Sequence, residues 1–196
     1  MTDDAVPAAG LSGTALPPIR TPRLVIRPLG DDDRDASRAV LDPDDEAAFR
    51  RWFTWAVAAP PALAELLQPP FGERAVILAE SDELIGLVGL VPSLGPFAQL
   101  EGAPAGGPWT LEPGLYWALS PGPRGHGYAT EAAAALCREL FTVLNPVRLI
   151  AMTEHTNLAS QAVMRRLGMR MLENPHPEPA WLQVVGILDS APGDAR

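Results

Sequence analysis

The residues best suited to chemistry lie in one stretch, Ser120-Pro121-Gly122-Pro123-Arg124-Gly125-His126-Gly127-Tyr128-Ala129-Thr130-Glu131-Ala132. An apolar run at 115–119 precedes it and an alanine-rich segment at 132–144 follows, so it reads as strand, glycine-rich turn and helix. Small residues entering the first helical turn leave backbone N–H groups unpaired at the positive end of the helix dipole, a geometry that binds phosphate. The expected anion ligands are the amides of Gly125, His126, Gly127, Tyr128 and Ala129, with the Thr130 hydroxyl beside them and Arg124 just ahead. A ligand-free structural turn is the competing reading. Two common phosphate loops are excluded. Nothing matches Gly-x4-Gly-Lys-Ser/Thr, and Gly122, Gly125 and Gly127 do not fit Gly-x-Gly-x-x-Gly. The chain has no lysine, so every cationic contact to a phosphate or carboxylate must be a guanidinium.

The elements around this turn follow from periodicity and punctuation. Residues 1–18, rich in Ala, Gly, Pro and Asp, read as an unstructured tail, and 191–196 as a second one, leaving a single domain over 19–190. Residues 21–29 alternate Leu24 and Ile26 against Arg23, Val25 and Arg27, which predicts a first strand at a sheet edge. An acid-started helix is expected at 31–41 and a second at 42–59, with Pro43 in its first turn. Phe49, Trp52, Phe53 and Val57 form an apolar stripe on the second helix, either core or the wall of a substrate groove. Pro60 and Pro61 should end that helix, with a short third one at 62–68. A hairpin is expected from 74–80 and 84–91, then a Pro, Gly and Ala-rich loop over 92–108 that could act as a lid. Strands at 115–119 and 147–153 flank the long helix, whose stripe places Cys137 in the core. Thr156 or Asn157 caps a last helix stopped by Gly168, and strands at 169–172 and 182–188 close the chain. Antiparallel hairpins with one βαβ crossover define an α+β fold with a mixed, largely antiparallel sheet.

Arg124-Gly125-His126-Gly127-Tyr128-Ala129-Thr130-Glu131-Ala132, with Asn157-Leu158-Ala159-Ser160 and Met164-Arg165-Arg166-Leu167-Gly168-Met169, resembles the GNAT acetyltransferases, closest to their RimJ/RimL-like branch. The resemblance runs from about residue 20 to 188 and implies an acetyl-CoA enzyme; no metal is expected, because the three histidines, His126, His155 and His176, share no ligand spacing with one another or with Cys137. The pyrophosphate would lie on the turn, and the pantetheine arm would run between two splayed parallel strands at 115–119 and 147–153. An amide near Leu119 would polarise the thioester carbonyl. Asn157 resembles the family residue that contacts the cofactor, and Ser160 the one that protonates the leaving thiolate. Ordinary helix capping by Asn157 and a solvent-facing Ser160 are the alternatives. The branch carries a carboxylate where this chain has Gly114, so the general base is left to Glu112, two residues earlier on the same strand face, or to Glu154. Gly122 stands where the superfamily commonly has Gln or Arg, and Arg124 could compensate. His126 reads as a rim residue.

Composition agrees with that class. A net charge of −9 over 196 residues argues against nucleic-acid binding, and no apolar run is long enough to span a bilayer. One cysteine and an N-terminus unlike a signal peptide fit the cytoplasm. The expected partner is an amine acceptor, either a peptide N-terminus or a small molecule. A homodimer paired through terminal strands is common in such folds. Two other functions remain open: a non-catalytic CoA-binding module, favoured by glycine at 114, and a nucleotide-phosphate binder.

Overall fold

The computed structural model describes residues 16–102 and 109–190, so residues 1–15, 103–108 and 191–196 of the expected tails and loop lie outside the description. One sheet holds eight strands among those residues: β1 (Ile19–Arg20), β2 (Leu24–Pro28), β3 (Gly72–Leu78), β4 (Leu84–Gly95), β5 (Thr110–Leu119), β6 (Arg148–Thr153), β7 (Arg170–Glu173) and β8 (Val184–Asp189). Their spatial order is β1-β2-β3-β4-β5-β6-β8-β7. Every neighbouring pair is antiparallel except β5 and β6, which touch at the single register pair Gly114 and Ile150 and then diverge. The α+β class, the largely antiparallel sheet and the splayed parallel pair are all present.

Strand alternation puts two cores on the two faces. Leu24, Ile26, Val76, Val88 and Leu115 meet Ala132, Leu136 and Leu140 of α3 (Tyr128–Val143), and Cys137 is buried beside them. On the other face Ala75, Ile77 and Leu87 meet Phe49, Phe53 and Ala56 of α2 (Glu46–Glu65), so part of the aromatic stripe is core. Further along that face Ile150, Val185 and Ile187 pack under Phe97, Leu100 and Leu182. The remaining helices are α1 (Arg34–Leu41) and α4 (Leu158–Arg166).

The strand at 21–29 is not at the edge, because Ile19 and Arg20 pair outside it with Ile26 and Val25. Leu16 is buried and accepts, with Pro17, hydrogen bonds through its carbonyl from the Arg74 guanidinium, which tethers the chain ahead of β1. α2 starts three residues later than Pro43 suggested, capped by the Asp45 carboxylate on Ala47 N and Ala48 N. It also runs through Pro60 and Pro61 to Glu65, so there is no separate third helix at 62–68. Each proline removes one helical hydrogen bond, but Ala56 and Ala59 are almost fully buried and their packing holds the helix across the interruption. β4 continues to Gly95 and β5 begins at Thr110, so part of the expected loop is hairpin. Pro92 and Pro113 face each other in that hairpin. Neither can donate, so they occupy a cross-strand position where the antiparallel ladder needs no N–H.

Candidate active site

β5 delivers the chain into the turn, and the turn is built to expose amides. Gly125 and Gly127 both sit at φ +82°, a left-handed conformation open to glycine and strained for other residues. Gly127 is the residue before α3, and no side chain caps the helix there. The first intrahelical bond runs from Glu131 N to Gly127 O, so the amides of Tyr128, Ala129 and Thr130 start the helix without partners of their own. The Thr130 hydroxyl is buried and has no hydrogen-bond partner, an arrangement that costs free energy unless a ligand satisfies it. Arg124 folds back, its Nε donating to Leu119 O at 3.0 Å, and closes the turn onto the end of β5.

These groups line one cleft of about 510 Å³ together with the start of α4. It brings together Leu119, Arg124, Gly125, Gly127, Tyr128, Ala129, Thr130, Asn157 and Ser160. His126 is exposed on the outside, with its ring stacked on Tyr128 and Nδ1 3.0 Å from Arg124 O. Asn157 does cap α4, its Oδ1 accepting from Ser160 N at 3.0 Å, while it also faces the cleft. Ser160 is half-buried in the cleft lining. Its Oγ accepts from the Trp117 indole Nε1 at 3.3 Å.

The two carboxylate candidates are placed apart from the cleft. Because β5 runs back past Pro113, Glu112 does share a strand face with Gly114. It is buried, however, and both its oxygens accept from Arg148, at 2.8 and 2.6 Å. That hydrogen bond and the Glu112 charge raise the Arg148 pKa above its ordinary value, so the guanidinium stays charged. Glu154 is exposed just past β6, with Oε2 accepting from Thr156 Oγ1 at 3.3 Å. At Gly114 itself, Ser93 of β4 fills the space: an added Cβ would lie 2.1 Å from Ser93 Oγ. Among the described residues no group of three or more His, Cys, Asp or Glu is arranged to hold a metal ion.

The sequence left out the groups that brace the turn from the far side of the sheet. Glu131 accepts from Thr21 Oγ1 at 2.6 Å and from Arg23 Nε at 2.7 Å, and Arg23 Nη1 donates to His126 O at 3.1 Å. The Arg23 guanidinium lies 4.5 Å from the Tyr128 ring centroid. Burial works to raise the Glu131 carboxyl, but the Thr21 and Arg23 hydrogen bonds and the Arg23 charge outweigh it and hold the pKa below the ordinary value. The brace is therefore complete above the ordinary carboxylate range and is lost as pH falls below it. A separation of more than a hundred residues between the partners hid it from local pattern.

The cleft lies between the end of β5, the uncapped start of α3 and the start of α4. The profile of the Acetyltransferase (GNAT) domain matches residues 23–170, and the chain belongs to that family. A curated relative, the uncharacterized N-acetyltransferase YnaD of Bacillus subtilis (strain 168), is 39% identical over 54 residues; the match spans 28% of this chain and only 32% of that relative. Among solved structures, an acetyltransferase from Agrobacterium tumefaciens str. C58 superposes with a TM-score of 0.67 at 26% identity, covering 89% of this chain and 95% of that one. Mycobacterium smegmatis RimJ, solved with CoA-disulfide, shares the fold at a TM-score of 0.59 and 18% identity, covering 89% and 86%. No helix among the described residues is long and apolar enough to cross a membrane.

Proposed function

We propose that the chain is an acetyl-CoA-dependent N-acetyltransferase that passes the acetyl group to a primary amine by direct attack. The observation that carries this reading is the split between β5 and β6 opening from Gly114 toward the uncapped start of α3, with the unpartnered Thr130 hydroxyl at its mouth. When bound, acetyl-CoA supplies an acyl group already activated as a thioester. The amides of Tyr128, Ala129 and Thr130 and the Arg124 guanidinium suit its phosphates, and the free strand edges suit the amides of its arm. An amide near Leu119, in the strand that borders the split, is the candidate donor to the thioester carbonyl.

Ser160 would return the proton to the departing sulfur. Its oxygen already accepts from Trp117, which leaves its own O–H free to point elsewhere. Replacing Trp117 by Phe keeps most of the packing and removes the indole donor. From the net worth of one hydrogen bond, kcat should fall about 2- to 12-fold, checked by steady-state kinetics, with calorimetric titration reporting separately any change in CoA affinity because Trp117 also lines the cleft. Of the two carboxylates, Glu154 is the better candidate to take the amine proton through water, because Arg148 holds both oxygens of Glu112.

Incubation with acetyl-CoA and a panel of peptides and small primary amines, followed by free thiol release, tests the proposal. Amine-dependent release supports it. Tight CoA binding with no release on any amine would instead favour the non-catalytic module, a reading to which the Gly114 and Ser93 pair gives specific support.

A further inference from the structure

One buried guanidinium has no anionic partner. Arg74 of β3 is only 6% exposed. Its Nη2 donates to Leu16 O and Pro17 O at 3.2 and 2.8 Å, while its Nε is shut off from water and has no hydrogen-bond partner. Among the described residues no carboxylate lies within ion-pair distance of it. Burial pushes the guanidinium pKa down to about 10, and no neighbouring charge offsets that fall. Arg74 therefore stays charged at neutral pH without a counterion, a state that buried charges ordinarily avoid.

The same side chain lines a cavity of about 240 Å³ between the end of α2 and the start of β3. Pro60 and Pro61 of α2, Pro28 at the end of β2, and Pro70 and Phe71 ahead of β3 form its walls. Because α2 runs on through its two prolines to Glu65, Ala64 also reaches the cavity. Proline rings are stiff and bring no N–H, so the walls are apolar and Arg74 is the one cation on them. Glu73 is the one acid on the lining. Its carboxylate accepts from Trp52 Nε1 at 3.4 Å, and strand alternation sends it to the sheet face opposite Arg74.

We propose that this cavity binds a short-chain aliphatic monocarboxylate, with the carboxylate paired to the Arg74 guanidinium and the chain laid against the proline and phenylalanine walls. A carboxylate matches a guanidinium in charge and in planar shape. A phosphate brings more charge and more oxygens than one guanidinium among apolar walls can satisfy. The volume is below the roughly 300–1,000 Å³ of sites for drug-sized ligands, which keeps the chain short. The cavity shares no residue with the cleft at α3, so the inference goes beyond acetyl transfer and stands without it.

Calorimetric titration of the full chain with sodium butyrate tests the site. Butyrate should bind saturably, one per chain, with the same affinity whether or not CoA is present at saturation. Butan-1-ol, which keeps the chain without the charge, and inorganic phosphate, which keeps a charge without the chain, should each bind at least tenfold more weakly. Arg74→Met removes the cation and should lower butyrate affinity at least tenfold. Ala64→Phe fills the cavity from α2 and leaves Arg74 with its two carbonyl partners, so it should cause a similar loss and carries the comparison even if Arg74→Met does not fold. Absence of saturable butyrate binding to wild type, phosphate bound as tightly as butyrate, competition by CoA, or wild-type affinity in Ala64→Phe would each overturn the proposal.

Discussion

Replacing Gly127 by Val is expected to weaken CoA binding by about 5- to 150-fold. The residue sits at φ +82°, directly before the first turn of α3. A β-branched side chain there costs on the order of 1–3 kcal/mol, and the chain can relieve it only by rotating the peptide units that aim the Tyr128 and Ala129 amides into the cleft. An added Cβ would also stand 3.7 Å from Arg23 Nη2, against the guanidinium that braces the turn through His126 O and Glu131. The strain therefore falls on the ligand-binding geometry, and it converts to the stated loss if it is relieved on going from the bound to the free form. Calorimetric titration with CoA measures it. Wild-type affinity in Gly127→Val would show that the amides of this turn do not bind the ligand.

The second large effect is at Gly114, where the resemblance to the RimJ/RimL-like branch would put a carboxylate. Gly114→Glu should lower the free energy of unfolding by about 1–3 kcal/mol through overpacking alone, and the buried carboxylate adds to that loss. The new Cβ would meet Ser93 Oγ at 2.1 Å and Ser93 Cβ at 3.1 Å, while the next contact, Val91 O at 3.2 Å, requires only a small adjustment. Removing the serine side chain removes the first two. The double variant Ser93→Gly with Gly114→Glu is thus expected to recover much of the stability lost by the single one, as a coupling in urea unfolding. If the single variant is as stable as wild type, Ser93 does not occupy the place of the missing carboxylate.

The turn and the helices around it were legible because their signals are local. Small residues between an apolar run and an alanine-rich segment describe Gly125, Gly127 and α3 with little help from the rest of the chain, and Asn157 is a recognisable cap. α2 was harder. Pro60 and Pro61 are helix breakers by local rule, yet burial of Phe53, Ala56 and Ala59 against the sheet outweighs two lost hydrogen bonds. The edge position was misjudged because β1 is only two residues long and carries no periodic signal.

Pairings across the sheet were out of reach. Glu112 could be placed on the correct strand face by alternation, but its engagement by Arg148, 36 residues away, follows from the β5–β6 register. The Trp117 indole on Ser160 spans 43 residues and depends on how β5 and α4 meet. Register is set by the whole buried face, so single-residue chemistry can name the candidates and cannot say which of them meet.

The 124–130 turn and the β5–β6 split are proposed to hold CoA together. Thermal unfolding of wild type and Gly127→Val with CoA, ATP or NAD tests it most directly, since a ligand bound only by the folded chain at a hundred times its Kd stabilises it by about 2.7 kcal/mol. CoA should raise the wild-type Tm in a concentration-dependent way, ATP and NAD should raise it much less, and Gly127→Val should show a smaller CoA shift than wild type at the same concentration. Equal shifts from ATP or NAD, or a CoA shift in Gly127→Val as large as that of wild type, would contradict it.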